Sequence, residues 1–567
     1  MKKKLLASAV STMCLLSACG GGDSAPIATP PSAANNAKRV LLLSIDGLHQ
    51  SDLSNWVRNH PSSSLAGLAA NGVLYTSAKT TTPSDSFPGM LALVTGGSPK
   101  STGVYYDDSY DRTLYAPGSN CTGNPGTEVV YDESIDFDST QLMGGGGINP
   151  ANLPLRKTAS NQCVPVYPHS FVMVNTAFEV VRAAGRLTAW SDKHFAYDLL
   201  NGPSGTGIAD LYTPEINSNI SNGGVVNGVN LAATQAQCDG SNSLPVNKVV
   251  DYTTCLPSVM AYDDVKVQAV INQIDGWKSD KSQATGVPAL FGMNFQALSV
   301  GQKLPVGGYA DAQGSPSANL AAILQHTDQS IGKLIAELKA QGLYNSTLII
   351  VSAKHGQSPM DKSKLQMESG GSGTATVQDP QPFVNNQDPN VDTVMYTNNN
   401  TTGPTQGKQY ATNGHLQTDD VGILWLQNQT PSNIAGVINQ LQNNAAAIAA
   451  TNLPAGTIFQ TSINAGAALA GIFGDPTSTD PIAAARAPNV MIQPNYGVIY
   501  SGSTKKIAEH GGGSMDDTNV GLLVSMSGMA PSVVSAPVST TQVAPTILKS
   551  LGLDPNSLQA VQKEGTQ

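Results

Sequence analysis

Residues 40–45, VLLLSI, are almost unbroken apolar sequence and stop at Asp46-Gly47. A strand with one wet face alternates apolar and polar residues; this one does not, so both its faces are buried. Double burial is the condition of parallel sheets, whose crossover helices cover both faces. Leu320, Ile323, Leu324, Ile331, Leu334 and Leu338 recur at helical spacing, Gly342 marks a stop, and a second apolar run, LIIV (348–351), follows. A third run, VGLLV (520–524), lies near the end. Helix then strand, repeated, predicts an α/β fold: a central, mainly parallel sheet covered by helices. Two segments, at about 105–265 and 358–490, break the rhythm. Both are rich in Gly, Asn, Ser and Thr and read as insertions forming a loop-rich cap, with Asn398, Asn399, Asn400 and Thr401 as a loop tip.

Open α/β sheets bind ligands beyond the carboxyl ends of their strands. That singles out Asp46 after the first run and Lys354-His355-Gly356 after the second. The duller alternatives are a turn residue for Asp46 and a core histidine for His355. In PSDSFPGMLALV (83–94), Ser86 stands beside Asp85 at the mouth of a helix-like run. It is either the helix N-cap or a hydroxyl placed to react, with free backbone N–H groups behind it for a phosphoryl oxygen. His510, followed by three glycines, is hard to explain as core packing and reads as a ligand.

Taken in order, LLSIDG (42–47), PSDSFPGMLALVTGGSPKSTGVYYD (83–107), LIIVSAKHGQSP (348–359), AEHGGG (508–513) and VAPTILKSLGL (543–553) resemble the alkaline phosphatase superfamily. The nearest branch is the type I phosphodiesterase/nucleotide pyrophosphatase group. The resemblance implies an alkaline phosphatase-like catalytic domain over 38–560, acting on a small phosphorylated substrate. It also implies a divalent metal, with zinc favoured and one ion or two left open. Asp46, His355 and His510 would be metal ligands. Ser86, where most of the branch has threonine, would be a metal-bound nucleophile that is phosphorylated in turnover.

The sequence also departs from the pattern. The usual Ser-Asp-His-Gly is here Ser352-Ala353-Lys354-His355-Gly356, so lysine stands for a ligand aspartate or an extra residue has entered. The usual Asp-x-x-Gly-His is Leu298-Ser299-Val300-Gly301-Gln302, where only Gln302 could coordinate. Asp107, an anion, replaces the asparagine that helps hold the transferring group. An ammonium in place of a carboxylate adds two positive charges beside a dication. Each unit of repulsion at ~4 Å is worth about 4 kcal/mol at an effective dielectric of about 20. Three outcomes follow. One metal is bound while Lys354 stands in for the other cation; or Asp192, His194 or Asp198 of SDKHFAYD (191–198) supply new ligands; or catalysis is lost and the fold is a surface binding module. Lys193 and His194 could equally line a pocket for an anionic substrate. Tyr105, Tyr106 and Tyr110 could stack on a leaving group or pack the cap. A sulfatase- or phosphonate-type hydrolase is the rival activity, weakened because no Cys/Ser-x-Pro-x-Arg motif surrounds Ser86.

The compartment is read from the N-terminus. Lys2–Lys4 and the apolar stretch Leu5–Leu16 form a signal too short to span a bilayer, and LSAC (16–19) resembles a lipobox. It implies cleavage before Cys19, a lipid anchor as the sole membrane attachment, and residence in the bacterial cell envelope. The alternative is an ordinary secretory signal with a chance cysteine. Residues 20–37 read as a flexible tether. In an oxidising compartment Cys121, Cys163, Cys238 and Cys255 argue for two disulfides, Cys121 with Cys163 and Cys238 with Cys255 by proximity; no C-x-x-C suggests zinc. The net charge of −10 is spread without a basic patch, which argues against a nucleic-acid partner.

Overall fold

A computed structural model describes residues 37–367, 377, 379–397, 409–443, 461–500 and 505–567. The signal, nearly all of the tether and the 398–401 loop tip lie outside the described residues. Everything described belongs to one compact unit, Ser32–Gln567.

The central sheet has eight strands: β1 (Arg39–Ile45), β2 (Gly72–Tyr75), β3 (Ala189–Ser191), β4 (Asp210–Tyr212), β5 (Leu290–Phe295), β6 (Thr347–Ser352), β7 (Leu522–Ser525) and β8 (Ser532–Val534). Their order is β8-β2-β7-β6-β1-β5-β3-β4. All pairings are parallel except the two made by β7, which runs against both β6 and β2. The mainly parallel sheet expected from VLLLSI is therefore present, with β1 at its centre. Two of its strands, β3 and β4, come from the segment read as the first insertion.

The apolar run works as its composition demands. Leu41, Leu43 and Ile45 enter one core; Val40 and Leu42 enter the other. Four helices cover the faces: α1 (Ser86–Thr95), α2 (Leu256–Ile274), α3 (Ala318–Ala340) and α4 (Val543–Ser550). α2 and α3 pack on the Leu41 face, α3 through the predicted stripe from Leu320 to Leu338. α1 and α4 pack on the Val40 face. Each fully buried Leu or Ile contributes about 1.5–3 kcal/mol, so the doubly covered strand anchors the domain.

The second insertion carries a four-stranded antiparallel sheet (Gly414–Thr418, Gly422–Leu426, Val490–Pro494, Thr461–Ala465) with its own core around Leu424, Ile492 and Val437. Tyr105, Tyr106 and Tyr110 pack with Trp425 and Met491 of that sheet, so these tyrosines join the cap and do not stack on a leaving group. Both expected disulfides, Cys121–Cys163 and Cys238–Cys255, are formed.

Candidate active site

Strand polarity gathers the site. Asp46 follows β1, Lys193 lies just past β3, Gln296 follows β5, and Lys354 and His355 lie just past β6. These strands run the same way, so all these residues emerge at one edge of the sheet. His510 precedes β7; because β7 is antiparallel, the loop entering it opens at that same edge.

Ser86 is delivered by α1. Its neighbour Asp85 caps that helix, accepting from the Phe87 N–H at 3.2 Å. The N-cap role considered for Ser86 thus falls to Asp85, and the serine hydroxyl is left for other work. Capping has a second consequence. Asp85 takes the Ser86 and Phe87 N–H groups, and Pro88 has none, so the free N–H groups expected for a phosphoryl oxygen are already engaged. α1 also packs closely on the β6 exit loop: a Cβ at Gly89 would stand 1.9 Å from the Lys354 carbonyl oxygen. Glycine is required there, and the contact fixes Ser86 relative to Lys354 and His355.

The Ser86 hydroxyl lies 3.4 Å from His355 Nε2 and 3.4 Å from Lys193 Nζ. His355 Nδ1 contacts the Gly356 carbonyl at 2.8 Å; with the proton on Nδ1, the Nε2 lone pair faces Ser86. Burial, reinforced by Lys354 and only partly opposed by Asp46, pushes the His355 pKa down to about 3, so the ring is neutral. His510 stacks on it at 3.9 Å between centroids, and His510 Nδ1 stands 3.6 Å from Asp85 Oδ1. Burial and the neighbouring His355 hold His510 well below the ordinary histidine range. Asp46 Oδ2 accepts from Gln296 Nε2 at 2.6 Å and pairs with Lys354 Nζ at 3.2 Å. Burial opposes ionising Asp46, but Lys354, His355 and Lys193 outweigh it and hold the carboxyl well below the usual carboxylate range. A cavity of about 460 Å³ opens beside these groups, lined by Lys193, His194, Asp107, Gln296 and His510 among others.

The family model described as type I phosphodiesterase / nucleotide pyrophosphatase matches residues 40–511. The chain belongs to this family. Its members are hydrolases of the phosphodiesterase and phosphatase kind. Among solved structures, wild-type alkaline phosphatase PafA superposes with a TM-score of 0.54 at 12% identity, covering 92% of this chain and 96% of that one. Murine ectonucleotide pyrophosphatase / phosphodiesterase 5 (ENPP5) gives a TM-score of 0.49 at 11% identity, covering 91% and 96%. No curated protein matches the sequence.

Among the described residues, Asp46, Ser86 and His355 offer donors for one metal ion, and His510 Nδ1 and Asp85 Oδ1, 3.6 Å apart and both buried without a hydrogen-bond partner, stand beside them. Asp46 Oδ1 is buried without a hydrogen-bond partner, 3.9 Å from His355 Nε2. With Ser86, whose hydroxyl lies 3.4 Å from the same His355 Nε2, it makes three donors of the nitrogen and oxygen kinds that a zinc-like ion takes. Where a second ion would need ligands, Lys354 points inward instead, and its ammonium also hydrogen-bonds the Tyr197 hydroxyl. Gln302 Nε2 donates to the Gly47 carbonyl and to the Tyr309 hydroxyl, each at 2.8 Å, which leaves its Oε1, buried without a hydrogen-bond partner, as the atom it could offer a metal. The cap does not supply replacements. Asp192 accepts from Trp190 Nε1 and the Lys193 N–H, Asp198 pairs with His169, and His194 pairs with Glu215.

Asp107 lines the cavity, where its surroundings oppose its negative charge. Burial, then Asp85 and Asp419, push its pKa well above the usual range, favouring the neutral acid. A protonated carboxyl can donate a hydrogen bond, as an amide does. Sequence reading passed over Gln296 and Tyr197. Gln296 had a usable signal, since it follows the apolar run LFGMNF (290–295) as Asp46 follows VLLLSI.

Proposed function

We propose that this chain hydrolyses phosphoric esters, phosphodiester or pyrophosphate linkages above all, through a phosphoseryl intermediate on Ser86. The observation that carries the reading is the Ser86 hydroxyl, freed from capping by Asp85, between the neutral His355 Nε2 and the Lys193 ammonium. Ser86 Oγ attacks phosphorus; the new O–P bond forms as the bond to the leaving oxygen breaks. His355 Nε2 faces the serine oxygen as a neutral acceptor available to the ion; the serine proton passes through water in the cavity to the departing oxygen, which leaves as the alcohol. Water then attacks the phosphoserine and restores the hydroxyl. Lys193 and Lys354 face the charge that spreads over the phosphoryl oxygens, the service the engaged α1 N–H groups cannot provide. A divalent ion held by Asp46, Ser86 and His355, zinc by its N/O donors, would lower the pKa of the serine hydroxyl and polarise the phosphoryl group. LSAC (16–19) behind a lysine-rich n-region supports a lipid-anchored enzyme of the bacterial cell envelope. No helix of the described residues is long and apolar enough to cross a membrane.

The test is hydrolysis of bis-p-nitrophenyl phosphate, p-nitrophenyl phosphate and p-nitrophenyl sulfate by wild type and Ser86→Ala, with and without added Zn²⁺. The diester should be cleaved fastest, and Ser86→Ala should lose about 10³-fold or more in kcat with its fold intact. Faster cleavage of the sulfate, or Ser86→Ala turning over like wild type, overturns the reading.

A further inference from the structure

We infer that a second, structurally separate divalent-cation site lies beside the cavity, which Glu133 and His194 line, built by Glu133, His194, Glu215 and Asp136. One ligand atom each from Glu133, His194 and Glu215 lies within 4.8 Å of the other two. The three come from different places in the chain. Glu133 opens the short helical turn Glu133–Ile135, His194 lies just past β3, and Glu215 just past β4. The central sheet therefore fixes two of them as firmly as it fixes Asp46.

An acidic cluster alone would signify little. The decisive observation is Asp136, which ends the same turn as Glu133. It is 0% exposed, and neither of its carboxylate oxygens has a hydrogen-bond donor among the described residues. Its carboxyl instead meets the Glu215 carboxyl, which is also 0% exposed. Two buried carboxyls in contact need a positive charge or a shared proton between them. The Glu215 oxygens already receive His194 Nδ1 at 2.8 and 2.9 Å and the Asn217 N–H at 2.9 Å, whereas Asp136 has only the Glu215 carboxyl beside it. Carboxylates with one imidazole suit zinc or manganese better than calcium, which takes oxygen ligands alone.

Position gives the site a consequence. His194 adjoins Lys193, whose ammonium stands 3.4 Å from Ser86. An ion gripping His194 fixes the segment that presents Lys193, so the cation is a positioning element for the anion-binding lysine, not a participant at phosphorus.

The inference is tested without substrate, and so stands or falls apart from the hydrolase reading. Equilibrium dialysis of the full chain against Zn²⁺ and Mn²⁺ would compare wild type and Asp46→Asn, each with and without Glu133→Gln or Glu215→Gln. Glu133 is half-buried, so Glu133→Gln keeps the fold even where Glu215→Gln does not; circular dichroism checks both. In the Asp46→Asn background one equivalent should remain bound, and Glu133→Gln should remove it or weaken it at least tenfold. If Asp46→Asn binds no ion, or Glu133→Gln and Glu215→Gln bind as their parent does, the two carboxyls merely share a proton and the site does not exist.

Discussion

The Lys354–Asp46 pair, which stands where the family pattern leads one to expect a metal ligand, can be measured directly. Lys354→Met keeps the length of the side chain and removes its charge. At the observed 3.2 Å, the Coulomb attraction at an effective dielectric of about 20 is about 5 kcal/mol. Not all of that is lost. Gln296 Nε2 still donates to Asp46 Oδ2 at 2.6 Å, and Lys193 still lowers the Asp46 pKa. Both groups are essentially unexposed, so little solvent can enter to compensate. Breaking such a buried pair typically costs 3–5 kcal/mol, and the residual partners put this one near ~3 kcal/mol. Asp46→Asn/Lys354→Met leaves no orphan charge and should recover most of the loss. The assay is urea unfolding of the metal-stripped protein at pH 7, followed by circular dichroism, for wild type, both single variants and the double variant. A coupling energy of ~3 kcal/mol is expected. If Lys354→Met costs less than ~1 kcal/mol and the double variant is additive, the ammonium is not paired with Asp46. The account of Lys354 as the standing cation would then be wrong.

Asp107→Asn replaces a neutral acid by an amide of the same shape and the family's own residue; kcat/KM for the diester should stay within about threefold of wild type, whereas Asp107→Ala should lose about tenfold or more. His415 supplies a pH dependence in the cap. Burial opposes charging its ring, but Asp108 at 3.3 Å and Asp392 at 3.0 Å outweigh it and hold its pKa well above the ordinary value. A raised folded-state pKa contributes stability that is complete below the unfolded value of about 6.5 and is lost as pH rises through the folded one. Wild type should therefore lose more stability than His415→Gln between pH 6.5 and the alkaline range; parallel melting curves for the two proteins would count against this. Reducing the disulfides should destabilise the folded protein by about 3 kcal/mol for each bridge on chain-entropy grounds, read as a drop in the urea midpoint; four alkylatable thiols in the untreated protein would contradict the bridges.

What the sequence disclosed and what it withheld follow from the range of the forces involved. Burial on both faces is written locally, as an apolar run too short for a helix, so VLLLSI announced a central strand and with it the edge where Asp46 would stand. The same logic was available for Gln296 and was missed only because LFGMNF was not read as a strand. The position of His510 depended on one fact beyond local reach, the reversed direction of β7, which turns a loop before a strand into a loop at the active edge. Hydrogen-bond choices were less legible still. Asp85 and Ser86 are adjacent, and either can cap α1; in the fold Asp85 caps while the Ser86 hydroxyl faces His355 and Lys193, residues more than 100 positions away. Gln302 could coordinate a metal by type; Tyr309 and the Gly47 carbonyl orient its amide through Nε2 and leave Oε1 without a partner. Asp107 looks like an ordinary anion in a linear reading, yet burial first, then Asp85 and Asp419, groups that only the folded chain brings near, raise its pKa. A motif therefore transmits the scaffold of this site, strand end by strand end, while charge and donor assignment are settled by contacts across the fold. In this chain those contacts replace a carboxylate–metal pair by a carboxylate–ammonium pair. On the proposed reading, Lys193 and Lys354 are then the cations nearest the Ser86 hydroxyl and Asp46.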